Sequence, residues 1–320
     1  GSITLTHMLN RRGRIEMEVT IVKLPPRAPD LLRGLHQGAD QEIPAQGRDG
    51  DRYYIVCAAF FEQRLLDHLA FARRDEDVTV TALSETWSAL ALNGPRARDV
   101  LAGCTPAPLD NAAFRWLSGQ MLEIADHTVL ALRMSYAGEL GWEFHMPNDA
   151  LQDVYAALWQ AGTPYGIADY GSFAMNVLRM EKAFKGASEL TNEVTLAEAD
   201  VLRFARTDKD YLGRDATLNS DLPWVCVYLE IEAEGEIDGH GGEAVLHQGQ
   251  TVGSTASIVY SPTAQSILAF AYVKPSAAAQ DTALEVVIHG TARPARVLSA
   301  PVYDPESLKP RQDVVRAAAE

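Results

Sequence analysis

The chain has 320 residues, 47% hydrophobic and 22% charged, ordinary globular proportions and enough for roughly two domains. A formal net charge of −15 disfavours nucleic acid as a partner, because a phosphate backbone calls for a basic face. The widely spaced Cys57, Cys104 and Cys226 form no CxxC pair, and no apolar run of about 18 residues occurs, so neither a zinc knuckle, a disulfide framework nor a membrane span is expected. A reducing, cytoplasmic setting is the expectation. The chain opens Gly1-Ser2, with neither Met nor a basic-then-apolar leader, and no signal peptide is read there.

Residues 3–22 read as a β-hairpin. Asn10-Arg11-Arg12-Gly13 supplies the turn, and Ile15–Ile21 alternates so that Glu16, Glu18 and Thr20 share a face. Residues 24–51, with Pro25-Pro26 and several glycines, read as a long surface excursion in which Leu31–Leu35 forms one helical turn. Order returns with a strand at Tyr53–Cys57 and a helix through Arg64–Leu69. Further strands are expected at Val78–Leu83, Ser88–Leu92, Gln120–Ile124 and Thr128–Met134, with a short helix at Pro95–Leu101. Leu151–Ala161 and Gly171–Met180 carry 3.6-residue apolar spacing and read as helices.

From Trp224 the pattern turns all-β. Short apolar runs at Val225–Ile231, Val245–Leu246, Ser266–Tyr272, Leu284–Ile288 and Ala295–Leu298 are separated by turn residues, which suits a small barrel or sandwich. The fold class expected is therefore α+β, divided as 1–221, a barrel domain over 222–310 and a charged, Ala-rich, mobile tail over 311–320.

The familiar catalytic signatures are missing. Gly239-His240-Gly241-Gly242 lacks dinucleotide-binding spacing and reads as a turn. The eight histidines include no HExxH pair, so no metal is expected, and neither a G-x-S-x-G elbow nor a Walker loop occurs. Three polar clusters stand out instead: Ser135–Phe144, with two glycines and Glu143 between Trp142 and Phe144; Gly166–Glu181, an apolar helix ending in Arg179 and Glu181; and Ser188–Thr195 followed by Asp208–Ala216. From spacing alone, Glu143 reads equally as an exposed hairpin residue, and Arg179 as a cation favoured by the helix dipole.

In this order the clusters resemble the aminomethyltransferase (glycine cleavage T-protein) family, in its dimethylglycine and sarcosine dehydrogenase branch. Ser135–Phe144 is similar to the family's "Y-x-G-E-x-G-F/W-E", Ser188–Thr195 to "ELTNDVT", and Leu9–Ile21 to "LN-x-x-G-G-I-x-D-D-L-I-V". Gly253–Tyr272, with Ser261-Pro262, is similar to "G-x-VTSG-x-x-SP-x-L-x-x-x-IA-x-AYV", and Gly290, Pro294-Ala295 and Pro301–Pro305 resemble the family's closing strands. The resemblance implies an aminomethyltransferase-like folate-binding domain followed by a C-terminal β-barrel, with tetrahydrofolate as cofactor. By resemblance Glu143 pairs with the pterin 2-amino and ring N–H groups, Tyr136 lies near the folate, and Arg179 stands near its anionic end. Glu18 becomes the acid that orients and deprotonates the folate nitrogen, with Glu16 as its rival in register. The implied reaction is capture of formaldehyde, or of an iminium from oxidative demethylation of small N-methylated amines such as dimethylglycine, giving 5,10-methylenetetrahydrofolate. FAD would then reside on a missing region or on a flavoprotein partner. Two other readings stay open: a non-catalytic folate-binding scaffold, and an aminomethyltransferase served by a lipoyl carrier. The chain departs from the family in beginning after the usual opening strand and helix, in its excursion over 24–51, and in carrying Cys57-Ala58-Ala59-Phe60 where T-proteins have "N-A-A-N".

Overall fold

The structure, a computed structural model, describes residues 1–25, 52–219, 221–232, 235 and 239–313. Two compact units emerge: Gly1–Leu5 with Val19–Asp169 and Ser307–Glu320, and Thr6–Glu18 with Tyr170–Glu306. The expected hairpin is present as β1 (Ile3–Leu9) and β2 (Ile15–Lys23), and both strands pass from one unit to the other along their length. Gly13 closes the turn at φ +70°, where the Gly13 N–H donates to the Asn10 carbonyl at 2.9 Å. A Cβ at Gly13 would meet the Thr217 backbone nitrogen at 2.7 Å, so glycine is required for space as well as for conformation.

In the first unit β3 (Tyr53–Val56) pairs antiparallel with the end of β2, from Thr20–Val56 to Lys23–Tyr53. After α1 (Glu62–Ala72) comes an antiparallel sheet of β4 (Trp87–Asn93), β5 (Gly119–Ile124), β6 (His127–Leu132) and β7 (Gly141–Pro147), in the order β4-β7-β6-β5. Period-two alternation turns Trp142, Phe144 and Met146 of β7 inward, each fully buried. Helices α2 (Ala97–Ala102) and α3 (Leu151–Gly162) cover that face, the latter through Val154 and Leu158 at i,i+4 spacing. Each such large apolar side chain contributes on the order of 2 kcal/mol by leaving water.

The same core encloses a charge. Arg133 is 0% exposed, and its guanidinium sits 5.6 Å from the Trp142 ring centroid. It donates to the carbonyls of Phe114, Pro310 and Gln312, so the described start of the 311–320 tail is held rather than loose. Burial, then the neighbouring Arg98, pushes the Arg133 pKa down to about 10, which still leaves it charged at neutral pH. Asn111 adds bonds to the Arg311 carbonyl and to Asp313.

In the second unit α4 (Ser172–Glu181) and the short α5 (Arg214–Leu218) precede a closed barrel. Its strands are β8 (Val225–Ile231), β9 (Ala244–His247), β10 (Gln250–Ser261), β11 (Ser266–Val273), β12 (Ala283–Ile288) and β13 (Thr291–Leu298), in the order β10-β11-β8-β13-β12-β9. Closure leaves no edge to recruit another chain. On β8 the alternation serves two cores: Val227, Leu229 and Ile231 join one apolar cluster of the barrel strands, while Cys226 and Tyr228 join Met180 of α4. The α+β class and the C-terminal barrel agree with expectation.

Two expectations fail. Val78–Leu83 forms no ladder; Val78 and Val80 are 51% and 48% exposed, and strand propensity alone does not make a strand without a partner. Conversely, β10 runs unbroken for 12 residues where only turn-like texture was read, because register shifts at Thr251/Gly253 and Thr255/Ser257 break its alternation. The excursion over 26–51, with its helical turn at Leu31–Leu35, and the tail over 314–320 lie outside the described residues. No described helix is long and apolar enough to cross a membrane, and no described group of three or more His, Cys, Asp or Glu residues is arranged to hold a metal.

Candidate functional site

Glu18 and Arg179 belong to the second unit, Tyr136 and Glu143 to the first.

On β2 the two rival carboxylates differ in their attachments. Glu16 accepts a hydrogen bond from the Asn10 side-chain amide at 2.9 Å and so belongs to the turn. Glu18 accepts no hydrogen bond among the described residues, although its side chain is only 28% exposed. Burial, with the charge of Glu189 second, pushes its pKa up to about 7. His7 of β1 places Nε2 3.8 Å from Glu18 Oε1, and its side chain is 1% exposed. Burial, then the nearby Arg203, pushes the imidazole pKa down to about 4. The contact is therefore no ion pair: the separation exceeds a hydrogen bond, and His7 is neutral at neutral pH. Neither His7 ring nitrogen has a hydrogen-bond partner among the described residues, while its ring lies 5.4 Å from that of Phe204.

Behind this pair stands a fully buried ion pair that sequence reading missed. Glu189, at 0% exposure, accepts from Arg179 Nη1 at 2.9 Å, from the Gly186 N–H at 2.7 Å and from the Ser257 hydroxyl. Arg179, placed at the last turn of α4 as its spacing predicts, also donates Nε to Asn176 and Nη1 to the Phe184 carbonyl. Among the described residues its Nη2 makes no hydrogen bond. In the sequence Ser188–Thr195 reads as a polar loop. Its Glu189 is instead the counter-ion that keeps Arg179 compatible with burial.

In the first unit Tyr136 sits, partly buried, in the turn between β6 and β7, with Gly138 at φ +76°. Glu143 extends from the face of β7 opposite Trp142 and Phe144, as alternation requires, with its side chain 26% exposed. Sequence reading overlooked its neighbour on that face. His145, two residues on and 3% exposed, brings Nε2 to 3.3 Å from Glu143 Oε2. Its Nδ1 lies 3.2 Å from the Tyr54 hydroxyl of β3, with the two rings edge-on at 76°. Burial, then Glu143, pushes the Tyr54 pKa up to about 12, so the phenol keeps its proton. The period-two rule that placed Glu143 was the available signal for His145.

Chemically, the two units offer carboxylates of different kinds: one held by an imidazole at hydrogen-bond distance, the other without a hydrogen bond among the described residues and weak enough as an acid to exchange a proton near neutrality. The architecture is a mixed sheet-and-helix region followed in the chain by a closed six-stranded barrel. The chain belongs to the glycine cleavage T-protein (aminomethyltransferase) family: residues 45–209 match its "GCVT N-terminal domain" and residues 225–304 its "Glycine cleavage T-protein C-terminal barrel domain". It is 33% identical over 271 residues to an aminomethyltransferase of Shouchella clausii, covering 83% of this chain and 73% of that protein. It is 31% identical over 319 residues to mitochondrial dimethylglycine dehydrogenase of Mus musculus, covering 97% of this chain and 34% of that protein. Mitochondrial sarcosine dehydrogenase of Mus musculus matches at 30% over 281 residues, 86% of this chain and 29% of that protein. The chain thus spans about a third of the length of the dehydrogenases it matches. The crystal structure of aminomethyltransferase T from Bartonella henselae superposes with a TM-score of 0.78 at 20% identity, covering 95% of this chain and 77% of that one, which establishes a shared fold.

Proposed function

We propose that the chain is the tetrahydrofolate-dependent one-carbon transfer part of an amine demethylation system. It would take formaldehyde, or an iminium released from an N-methylated amine of the dimethylglycine or sarcosine kind, into 5,10-methylenetetrahydrofolate. Flavin chemistry upstream would belong to another polypeptide region or to a partner flavoprotein. The free thiols Cys57, Cys104 and Cys226 fit a reducing compartment such as the cytoplasm.

The observation that carries the proposal is Glu18: a mostly buried carboxylate, without a hydrogen bond among the described residues, with its pKa pushed up to about 7. A base of that strength takes a proton from a substrate and returns it near neutral pH. Glu16, bonded to the turn, is less suited to the task. Taken one by one, the chemistry of these donors suits a reduced pterin. Glu143 keeps Oε1 free of hydrogen bonds among the described residues, and a carboxylate accepts two parallel N–H bonds well. Tyr136 offers a partly buried ring and hydroxyl. Arg179 offers Nη2, in a fork already fixed by Asn176 and Glu189, to an anionic end. When bound, tetrahydrofolate supplies the nucleophilic nitrogens that accept the one-carbon unit. Glu18 orients one of them and holds the proton it releases.

Calorimetric titration with tetrahydrofolate, followed by formaldehyde capture, tests this reading. Tight binding with catalysed capture, lost in Glu18→Gln, is the expected result. Binding without capture would point to a scaffold, and activity only with a lipoylated protein would point to an aminomethyl carrier. A Glu18→Gln variant at full turnover would remove Glu18 from the chemistry.

A further inference from the structure

Glu143 is not a lone carboxylate. Three side chains of the first unit form a continuous chain: the Tyr54 hydroxyl, His145 Nδ1 at 3.2 Å, and His145 Nε2 at 3.3 Å from Glu143 Oε2. The carboxylate at one end settles the direction. A neutral imidazole carries one N–H, and the nitrogen facing carboxylate oxygen is the one that gains by donating. His145 Nε2–H therefore donates to Glu143, and in the neutral ring Nδ1 is left as an acceptor. Tyr54, which keeps its phenol proton, donates to Nδ1. The opposite tautomer would set a bare Nε2 lone pair against carboxylate oxygen, a repulsion felt strongly at 3% exposure.

The backbone prevents the chain from drifting. His145 pairs with Ala89 on β4 and Leu130 on β6, and Glu143 pairs with Ala91 and Leu132, so both sit on a strand bonded on each side. Tyr54 is anchored on β3 through the pair Val22–Tyr54, and its ring lies 5.8 Å from that of Trp87.

We propose that His145, backed by Tyr54, is the positioning residue of the ligand-binding carboxylate. It ties down Oε2, fixes the plane of the Glu143 carboxylate, and so selects ligands that present two parallel N–H donors, as the 2-amino and ring N–H edge of a pterin does. This rests on the folate reading given above. Neither residue touches the reacting atoms. Their effect is on recognition, because a carboxylate free to rotate accepts single N–H donors nearly as well as paired ones.

The test compares 5-formyltetrahydrofolate with its 2-desamino-2-methyl analogue by calorimetry, in the full chain, as a ratio of Kd values. The unsubstituted protein is expected to favour the 2-amino ligand by about 30-fold, the equivalent of about 2 kcal/mol. His145→Leu should cut that preference to roughly threefold, and His145→Gln, whose amide can donate near the Nε2 position, should recover part of it. Tyr54→Phe removes only the far hydrogen bond and should cost about threefold in preference, which decides the matter if His145→Leu fails to fold. A merely structural His145 would weaken both ligands alike and leave the ratio untouched; that result overturns the proposal. Glu143→Gln separates the two levels. If its preference for the 2-amino ligand survives, the pterin assignment of Glu143 is wrong. If it is lost while His145→Leu and Tyr54→Phe keep theirs, only the relay is wrong.

Discussion

His7 and Glu18 should conceal one another's effect on stability. Glu18 has a folded pKa of about 7 against an ordinary 4.5, so the native state resists its ionisation. Its contribution is fully present below 4.5 and is lost as pH rises through about 7. His7 has the reverse sign. Its folded pKa of about 4 lies below the ordinary 6.5, so its contribution is present above 6.5 and is lost as pH falls through about 4. Each gap, at ~1.36 kcal/mol for every tenfold change in acidity, comes to about 3 kcal/mol, an upper figure because water still reaches part of Glu18. The two losses run in opposite directions across nearly the same window, and their sum stays almost level from pH 4 to 8. Removing either group exposes the other. Urea unfolding of the full chain at closely spaced pH values, read as variant minus parent, cancels every titration the two proteins share. For Glu18→Gln the difference should climb by about 3 kcal/mol from pH 4 to pH 8; for His7→Phe it should climb by a similar amount from pH 8 to pH 4. Level difference curves, or a Glu18→Gln curve that descends with pH, would refute the reasoning.

Arg179→Met should destabilise the chain by about 3–5 kcal/mol, because it strands the fully buried Glu189 without its counter-ion; Arg179→Met combined with Glu189→Leu should recover most of that in thermal melts. Gly13→Ala should lower stability by about 1–3 kcal/mol, through the clash with Thr217 and the positive φ, as judged by the urea midpoint. Val80→Lys should be neutral to within about 0.5 kcal/mol by the same measurement, since the segment forms no ladder and Val80 is 48% exposed.

Much of the architecture was legible where one face of an element is wet and the other dry. Ile15, Met17 and Val19 alternate with Glu16, Glu18 and Thr20, and β2 follows that pattern until Thr20 also becomes buried. Helix α3 announces itself through Val154 and Leu158. Legibility fails where the neighbour decides. Val78–Leu83 has strand composition and no partner, whereas β10 has bulges and a Ser-Thr-Ala-Ser stretch that hide a long strand. At the candidate site, motif resemblance pointed to the charged residues but not to what holds them. Glu189 looks like loop polarity in the sequence; only the folded chain brings it to Arg179 ten positions earlier and Ser257 far downstream. Tyr54 and His145 are 91 positions apart, a pairing that no local pattern encodes.

The division of the β1–β2 hairpin has a consequence for synthesis. Residues 6–18 belong with 170–306, while residues 1–5 and 307–313 belong with 19–169. Each unit therefore waits for residues made later: residues 6–18 are synthesised long before residues 170–306 with which they group, and the first unit lacks the carbonyls of Pro310 and Gln312 that receive Arg133 until about 180 further residues have been added. Vectorial folding, one finished unit after another, is closed to residues 1–313, and Arg133 stays short of two acceptors until residues 310–312 have been made.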